Sequence, residues 1–241
     1  MKKYPAHIAI LLAYVCGGGS LIMFAAFCYA GPLDLARLGS NEAGKLLIDA
    51  GLSLAFFLQH SIMVRRSFRR QLSRLVPERY VNVIYAISSG IVLSVVILFW
   101  QETSSAVGAA KGALRLLLRV IFAGSVAGFY WGAAALGSLD AFGIRSLLDS
   151  GRARKPREAR LIIRGPYRFV RHPLYLFVLV MIWSNPDLTY DRLLFNILWS
   201  AWVFVGAILE ERDLSLDFGH AYEQYKRKVP MLIPWRILTT G

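Results

Sequence analysis

The sequence predicts an all-α protein, a polytopic bundle of five to six transmembrane helices followed by a C-terminal cytoplasmic or interfacial helix. Three observations predict it. Of the 241 residues, 56% are hydrophobic, and the mean hydropathy is +0.48, too apolar for an ordinary soluble domain of this length. Apolar runs of membrane-crossing length recur along the chain. The Lys and Arg residues behind the net charge of +13 sit in blocks between those runs. A nucleic-acid binder would spread them over one surface, so no nucleic-acid partner is expected.

The first apolar run, 8–29, follows Lys2 and Lys3 and resembles a signal peptide, with the small-x-small triplet Cys28, Tyr29, Ala30 at its end. It reads as a retained helix, because a signal core spans only roughly 7–15 residues. Runs at 46–64, 80–100 and 116–139 supply three more spans. The fifth, 174–183, stops at Asn185 and Pro186. It is shorter than the roughly 20 residues a perpendicular span needs and reads as a tilted or partly re-entrant arm of a hairpin with the sixth run, 193–209.

Charge orients these spans. Lys2 and Lys3, the group Arg65, Arg66, Arg69, Arg70, Arg74 and Arg79, the basic residues within 145–171, and Lys226, Arg227 and Lys228 all fall on alternate connections. Basic residues near helix ends resist translocation, which puts both termini in the cytoplasm and the protein in the cell inner membrane. The opposite connections, 34–45, 101–112 and 185–191, are weakly charged. Cys16 and Cys28 lie inside the first run and spell neither a disulfide framework nor a CxxC metal site. Gly17, Gly18 and Gly19, and Gly124, Gly128 and Gly132 at intervals of four, read as helix-packing positions. With no internal repeat, one domain is expected over 1–241, with N-terminal helices up to 140 and a functional core at 160–235. No segment marks an obligate protein partner.

Two stretches carry candidate chemistry. The first runs from Arg164 through Gly165, Pro166, Tyr167, Arg168, Phe169, Val170, Arg171, His172, Pro173 and Leu174 to Tyr175. Pro173 suits the first turn of a helix and places His172 near its N-cap. A helix N-terminus beside Arg168 and Arg171 could hold a carboxylate, or the same residues could anchor the chain at lipid phosphates. The second stretch holds Glu210 and Glu211, then Phe218, Gly219, Tyr222, Tyr225, Val229 and Pro230. Adjacent carboxylates at a membrane helix end are expensive, so they either orient a ligand, pair with Arg168 or Arg171, or lie solvated at the interface. Tyr222 and Tyr225 share a helix face, as pocket walls or as interface anchors.

Taken in order, GPYRFVRHPLYL, Asn185-Pro186, LEERDL, FGHAYEQYKRKVP and LIP resemble the isoprenylcysteine carboxyl methyltransferase-like family of integral membrane S-adenosylmethionine methyltransferases. The likeness covers roughly residues 160–235. In the N-terminal half, Gln59, His60, Ser61, Ile62, Met63, Arg65, Arg66 and Phe68, with the DxFG-like Asp140, Phe142, Gly143 and Ile144, are similar to the methanethiol S-methyltransferase branch and to NnrU-type membrane proteins.

The resemblance implies S-adenosylmethionine as cofactor, held by Arg168, Val170, Arg171, His172, Tyr175, Leu176, Glu210, Glu211, Tyr222 and Tyr225, with the C-terminal helix closing the pocket. It implies methyl transfer to a small lipophilic thiol, methanethiol giving dimethyl sulfide, with membrane lipid as the surroundings and no metal. The candidate bases are His60, His172 and Glu211, in that order. The prenylcysteine enzymes carry an arginine one turn before the paired glutamates, where this chain has Gly206, Ala207 and Ile208, and that departure argues against a carboxylate acceptor. Two other readings stand beside this one: a different lipophilic acceptor, such as a prenyl thiol or a phospholipid amine, and an NnrU-like protein without enzymatic activity.

Overall fold

The computed structural model describes residues 4–33, 35–137 and 161–235, with Phe142, Ile144 and Leu147 besides. Lys2, Lys3, Asp34, Leu139, Asp140, Gly143 and the basic residues between 148 and 160 lie outside the described residues.

Five helices among the described residues are long and apolar enough to cross a membrane. The first, Ala6–Ala30, joins α1 (Tyr4–Leu12), a π-helical segment (Ala13–Gly18) and α2 (Gly19–Ala30). Then follow α3 (Glu42–Val64), the short α4 (Arg66–Leu75), α5 (Glu78–Phe99), β1 (Ala106–Ala109) and α6 (Gly112–Leu136). After a 3-10 turn (Gly165–Arg168) come α7 (Pro173–Trp183), β2 (Asp187–Thr189), α8 (Tyr190–Phe218) and α9 (His220–Lys228). Large apolar side chains such as Ile22, Leu47, Leu117 and Val120 are exposed, a distribution that suits a hydrocarbon solvent. The fifth apolar run is the 11-residue α7, too short to cross alone. The sixth run does not end at Leu209: α8 continues through Glu210 and Glu211 to Phe218. Nothing between Leu209 and Phe218 breaks a helix; the break comes at Gly219, whose φ of +50° only glycine adopts without strain.

The described residues form two compact units. The first comprises α1 to α5 and Thr189–Phe195. Its core gathers Phe27, Trp100 and Phe195, with ring centroids 5.1–5.7 Å apart. Two buried charges close it. Asp191 accepts from the backbone and hydroxyl of Thr103 (3.0 and 2.6 Å) and from the Trp100 indole (3.2 Å), while Arg192 donates to the carbonyls of Phe27 and Cys28 in the last turn of α2. Gly90 of α5 lets the π-helical segment approach closely, since a Cβ there would lie 2.2 Å from the Cys16 carbonyl oxygen.

In the second unit, α6 packs on α7 through Gly128 and Gly132, where a Cβ would meet Phe177 and Leu174. Gly124, the third member of that stripe, has nothing within 4 Å of its Cβ position. Arg115 and Asp187 form a two-pronged ion pair at 2.7 Å, and the Trp183 indole donates to Ser200 (2.9 Å), tying α7 to α8.

The glycines give a direct test. Gly90→Ala drives a methyl into a backbone carbonyl and is expected to cost about 1–3 kcal/mol, whereas Gly124→Ala is expected to be neutral or stabilising; thermal unfolding in detergent compares them.

Candidate active site

The site is built in the second unit on the segment between the 3-10 turn and α7. Gly165 opens the turn with a φ of +57°, and the amides of Phe169 and Val170 close it by donating to the Pro166 carbonyl (3.0 and 3.2 Å). Val170 is buried. The chain then runs extended into α7, with His172 as N-cap and Pro173 in the first turn, as the sequence implies. Leu176 makes an early helical bond, donating to the His172 carbonyl (3.0 Å). The amides of Arg171 and His172 donate instead to Pro230 and Met231 of the tail (2.9 and 3.1 Å), so the RHP segment and the segment after α9 are joined through their backbones.

The side chains complete that junction. Arg171 reaches Oε1 of Glu211 with Nε (2.7 Å) and Nη2 (2.6 Å), and its Nη1 donates to the carbonyls of Lys226 and Val229. Both side chains are nearly buried, at 10% and 12% exposure. The His172 ring lies between two carboxylates, with Nε2 3.3 Å from Glu211 Oε1 and Nδ1 3.5 Å from Glu210 Oε2. Tyr175 stacks on that ring, 5.4 Å between centroids and 7° from parallel, and its hydroxyl donates to Glu210. The contacts of Arg171 and His172 to Glu211 fall on Oε1.

From α9, Tyr222 and Tyr225 pack edge to face in a cluster with Val229. Tyr225 donates its hydroxyl to the Tyr167 carbonyl, and burial pushes its pKa up to about 12, with the nearby Arg171 opposing and Glu211 adding to the rise. The Tyr222 hydroxyl is buried without a hydrogen-bond partner among the described residues. Burial raises its pKa too, followed by the Glu211 charge, with Arg171 acting against them, so the phenol stays a proton donor. Beside this cluster a hollow of about 500 Å³ is lined by Ile208, Glu211, Arg212, Ser215, Leu216 and Lys226, a size within the roughly 300–1,000 Å³ of small-molecule pockets.

Of the residues expected from sequence, Arg171, His172, Tyr175, Glu210, Glu211, Tyr222 and Tyr225 come together here, with Val170 and Leu176 supplying framework. The pairing of Glu211 with Arg171 is one of the alternatives the sequence left open. Arg168 ends the 3-10 turn and is exposed. His60 lies in the other unit, where the Tyr85 hydroxyl sits 2.8 Å from its Nε2 and Phe56 packs against its ring. Arg212, Ser215 and Lys226 were not anticipated. Ile208, Glu211, Arg212 and Ser215 follow the 3–4 residue spacing of one helix face, a signal readable only when α8 is carried past Leu209.

Two outcomes follow. Arg171→Ala leaves the Glu211 carboxylate nearly buried without its cation and is expected to cost about 3–5 kcal/mol, with Arg171→Lys in between; detergent unfolding measures both. Since the folded Tyr225 pKa of about 12 lies above the ordinary 10.0, its stabilising contribution is intact below pH 10 and is lost as pH rises from 10 through 12. The difference in tyrosinate absorbance between wild type and Tyr225→Phe is expected to appear only near pH 12 in folded protein.

No protein-family model and no solved structure matches this chain. Curated relatives do. A methanethiol S-methyltransferase of Pseudomonas sp. is 34% identical, the alignment covering 81% of this chain and 76% of that protein. Methanethiol S-methyltransferase 2 of Bradyrhizobium diazoefficiens is 31% identical over 95% of this chain and 91% of its own length, and the Mycobacterium tuberculosis methanethiol S-methyltransferase is 29% identical over 98% of each. Identity at this level across most of both chains, together with a helical fold that has five membrane-length helices, places the chain in the methanethiol S-methyltransferase family.

Proposed function

We propose that this protein, acting as one membrane domain, transfers a methyl group from S-adenosylmethionine to methanethiol and releases dimethyl sulfide and S-adenosylhomocysteine. The observation that carries the proposal is the convergence of Arg171, His172, Glu210, Glu211 and Tyr222 beside a hollow also lined by Arg212 and Lys226. That donor set fits the cofactor. Its carboxylate calls for cationic donors, which Arg212 and Lys226 offer, and its ammonium and sulfonium call for acceptors, which Glu210 and Oε2 of Glu211 offer. The buried Tyr222 hydroxyl, with no partner among the described residues, is one more donor suited to a polar ligand.

When bound, S-adenosylmethionine supplies an electrophilic methyl on a positively charged sulfur. The protein's own groups do the rest. A thiol reacts as its thiolate, and His172 receives its proton, the Glu211 carboxylate 3.3 Å from Nε2 stabilising the imidazolium. Ile208 and Leu216 give the hollow an apolar wall suited to a small lipophilic thiol, and no cation stands at 206–208 to receive a carboxylate acceptor. Excluding water there strengthens the fixed charges. His60, held by Tyr85, is the alternative base. The basic residues of 65–79 and 226–228 support an orientation in the inner membrane with both termini cytoplasmic.

Purified protein given S-adenosylmethionine and methanethiol is expected to release dimethyl sulfide. His172→Ala and Glu211→Gln are expected to lower turnover by roughly 10²–10⁴-fold while the protein still inserts, with His60→Ala losing less. Full turnover in both site variants would remove the site assignment; turnover lost only in His60→Ala would move the base to the other unit.

A further inference from the structure

A second polar hollow, of about 750 Å³, opens in the first unit between α4 and the start of α5. Four guanidinium groups line it: Arg66, Arg69 and Arg70 from α4, and Arg79 from α5. Against them stands Glu78, the single carboxylate among the described lining residues, and Ser73 adds a hydroxyl. The hollow is held open from both sides. The Arg69 guanidinium donates to the Asn82 side chain on α5, and the Arg79 guanidinium lies over the Tyr80 ring, 5.2 Å from its centroid. Arg66 and Arg70 are exposed and close the mouth.

The position of α4 says where such a hollow sits. It begins two residues after α3 ends at Val64 and finishes three residues before α5 begins at Glu78, and both neighbours are of membrane-crossing length. None of its ten residues is fully buried, so packing within the unit leaves much of its surface uncovered, and a helix this short is marginal in water. Phe68, Leu72 and Leu75 recur at helical spacing on one face, and Leu75 is 84% exposed. A short helix with an apolar stripe and an arginine-rich face, wedged between two membrane-length helices, is built to lie at the boundary between headgroups and acyl chains. Guanidinium forks match phosphate oxygens in pairs, and basic pockets between membrane helices suit anionic headgroups.

We infer that this hollow is a binding site for the phosphate of an anionic glycerophospholipid, gripped by Arg66, Arg69, Arg70 and Arg79 while the apolar stripe of α4 rests on the acyl chains. Its lining shares no residue with the hollow of the second unit, and lipid binding rather than turnover is its readout. The mouth arginines carry the decisive contacts because they stand exposed where a lipid enters.

The test uses the full chain in detergent, titrated with short-chain phosphatidylglycerol, short-chain phosphatidylcholine or inorganic phosphate, with bound ligand counted by native mass spectrometry. Wild type is expected to bind phosphatidylglycerol saturably and phosphatidylcholine at least roughly tenfold more weakly, because the choline cation beside the same phosphate is repelled by the four arginines. Arg66→Gln/Arg70→Gln, both at exposed positions, is expected to lose roughly tenfold or more in phosphatidylglycerol affinity, and Arg74→Gln, outside the hollow, to lose none. Equal affinity for the two lipids, or an unchanged double variant, would overturn the site. Inorganic phosphate binding as tightly as phosphatidylglycerol and displacing it would overturn the lipid as its occupant.

Discussion

One guanidinium group holds three stretches of chain in register. Arg171 stands just before α7, meets Glu211 of α8, 40 residues away, and reaches the carbonyls of Lys226 and Val229, 55 and 58 residues away. Burying such a pair carries a desolvation penalty that attraction alone repays poorly. Here the penalty is offset because the cation's three nitrogens all have acceptors, and because the amides of Arg171 and His172 add two backbone bonds to Pro230 and Met231. The tail is therefore part of the site's frame. Without it, His172 would keep its helix start, but Tyr222, Tyr225 and Lys226 would lose part of what fixes them beside the carboxylates.

That arrangement explains which features could be read from sequence. The spans were legible because a bilayer solvent demands long apolar runs, and the start of α7 was legible because proline and helix N-termini constrain each other locally. The extension of α8 was hidden because hydropathy falls at Glu210 while helical geometry persists to Gly219; polarity and helix ending are different quantities, and the apolar run reports only the first. The joining of 171–172 to 230–231 was hidden more deeply, since a backbone pairing between segments almost sixty residues apart leaves no local pattern. The glycine stripe on α6 was half legible. A step of four residues in a helix of 3.6 per turn drifts by about 40°, so by Gly124 the row has rotated away from the neighbour that Gly128 and Gly132 meet.

Buried ionisable residues were expected to mark function, yet the first unit holds Asp191 and Arg192 for architecture. Asp191 takes three donors from Trp100 and Thr103, and Arg192 caps carbonyls at the end of α2. Their short spacing in sequence, on a connection that reads as weakly charged, concealed how much of the unit they close. These partners are backbone and side-chain groups of the same unit, so the contacts serve the fold. In the cluster of the second unit, the Tyr222 phenol has no hydrogen-bond partner among the described residues.

The two adjacent glutamates of that cluster are placed differently. Neighbours on a helix point about 100° apart, and α8 uses the divergence to place Glu211 at 12% side-chain exposure against Arg171 and Glu210 at 46% beside His172 and Tyr175. Glu211 uses one oxygen, Oε1, for both Arg171 and His172, and the same residue lines the hollow. Glu210 stays accessible and, through Nδ1 of His172 and the Tyr175 hydroxyl, fixes the imidazole from the opposite side. Contacts on both ring nitrogens and the stacked Tyr175 ring together fix the orientation of the imidazole. The two glutamates flank one imidazole only because the helix runs unbroken through both.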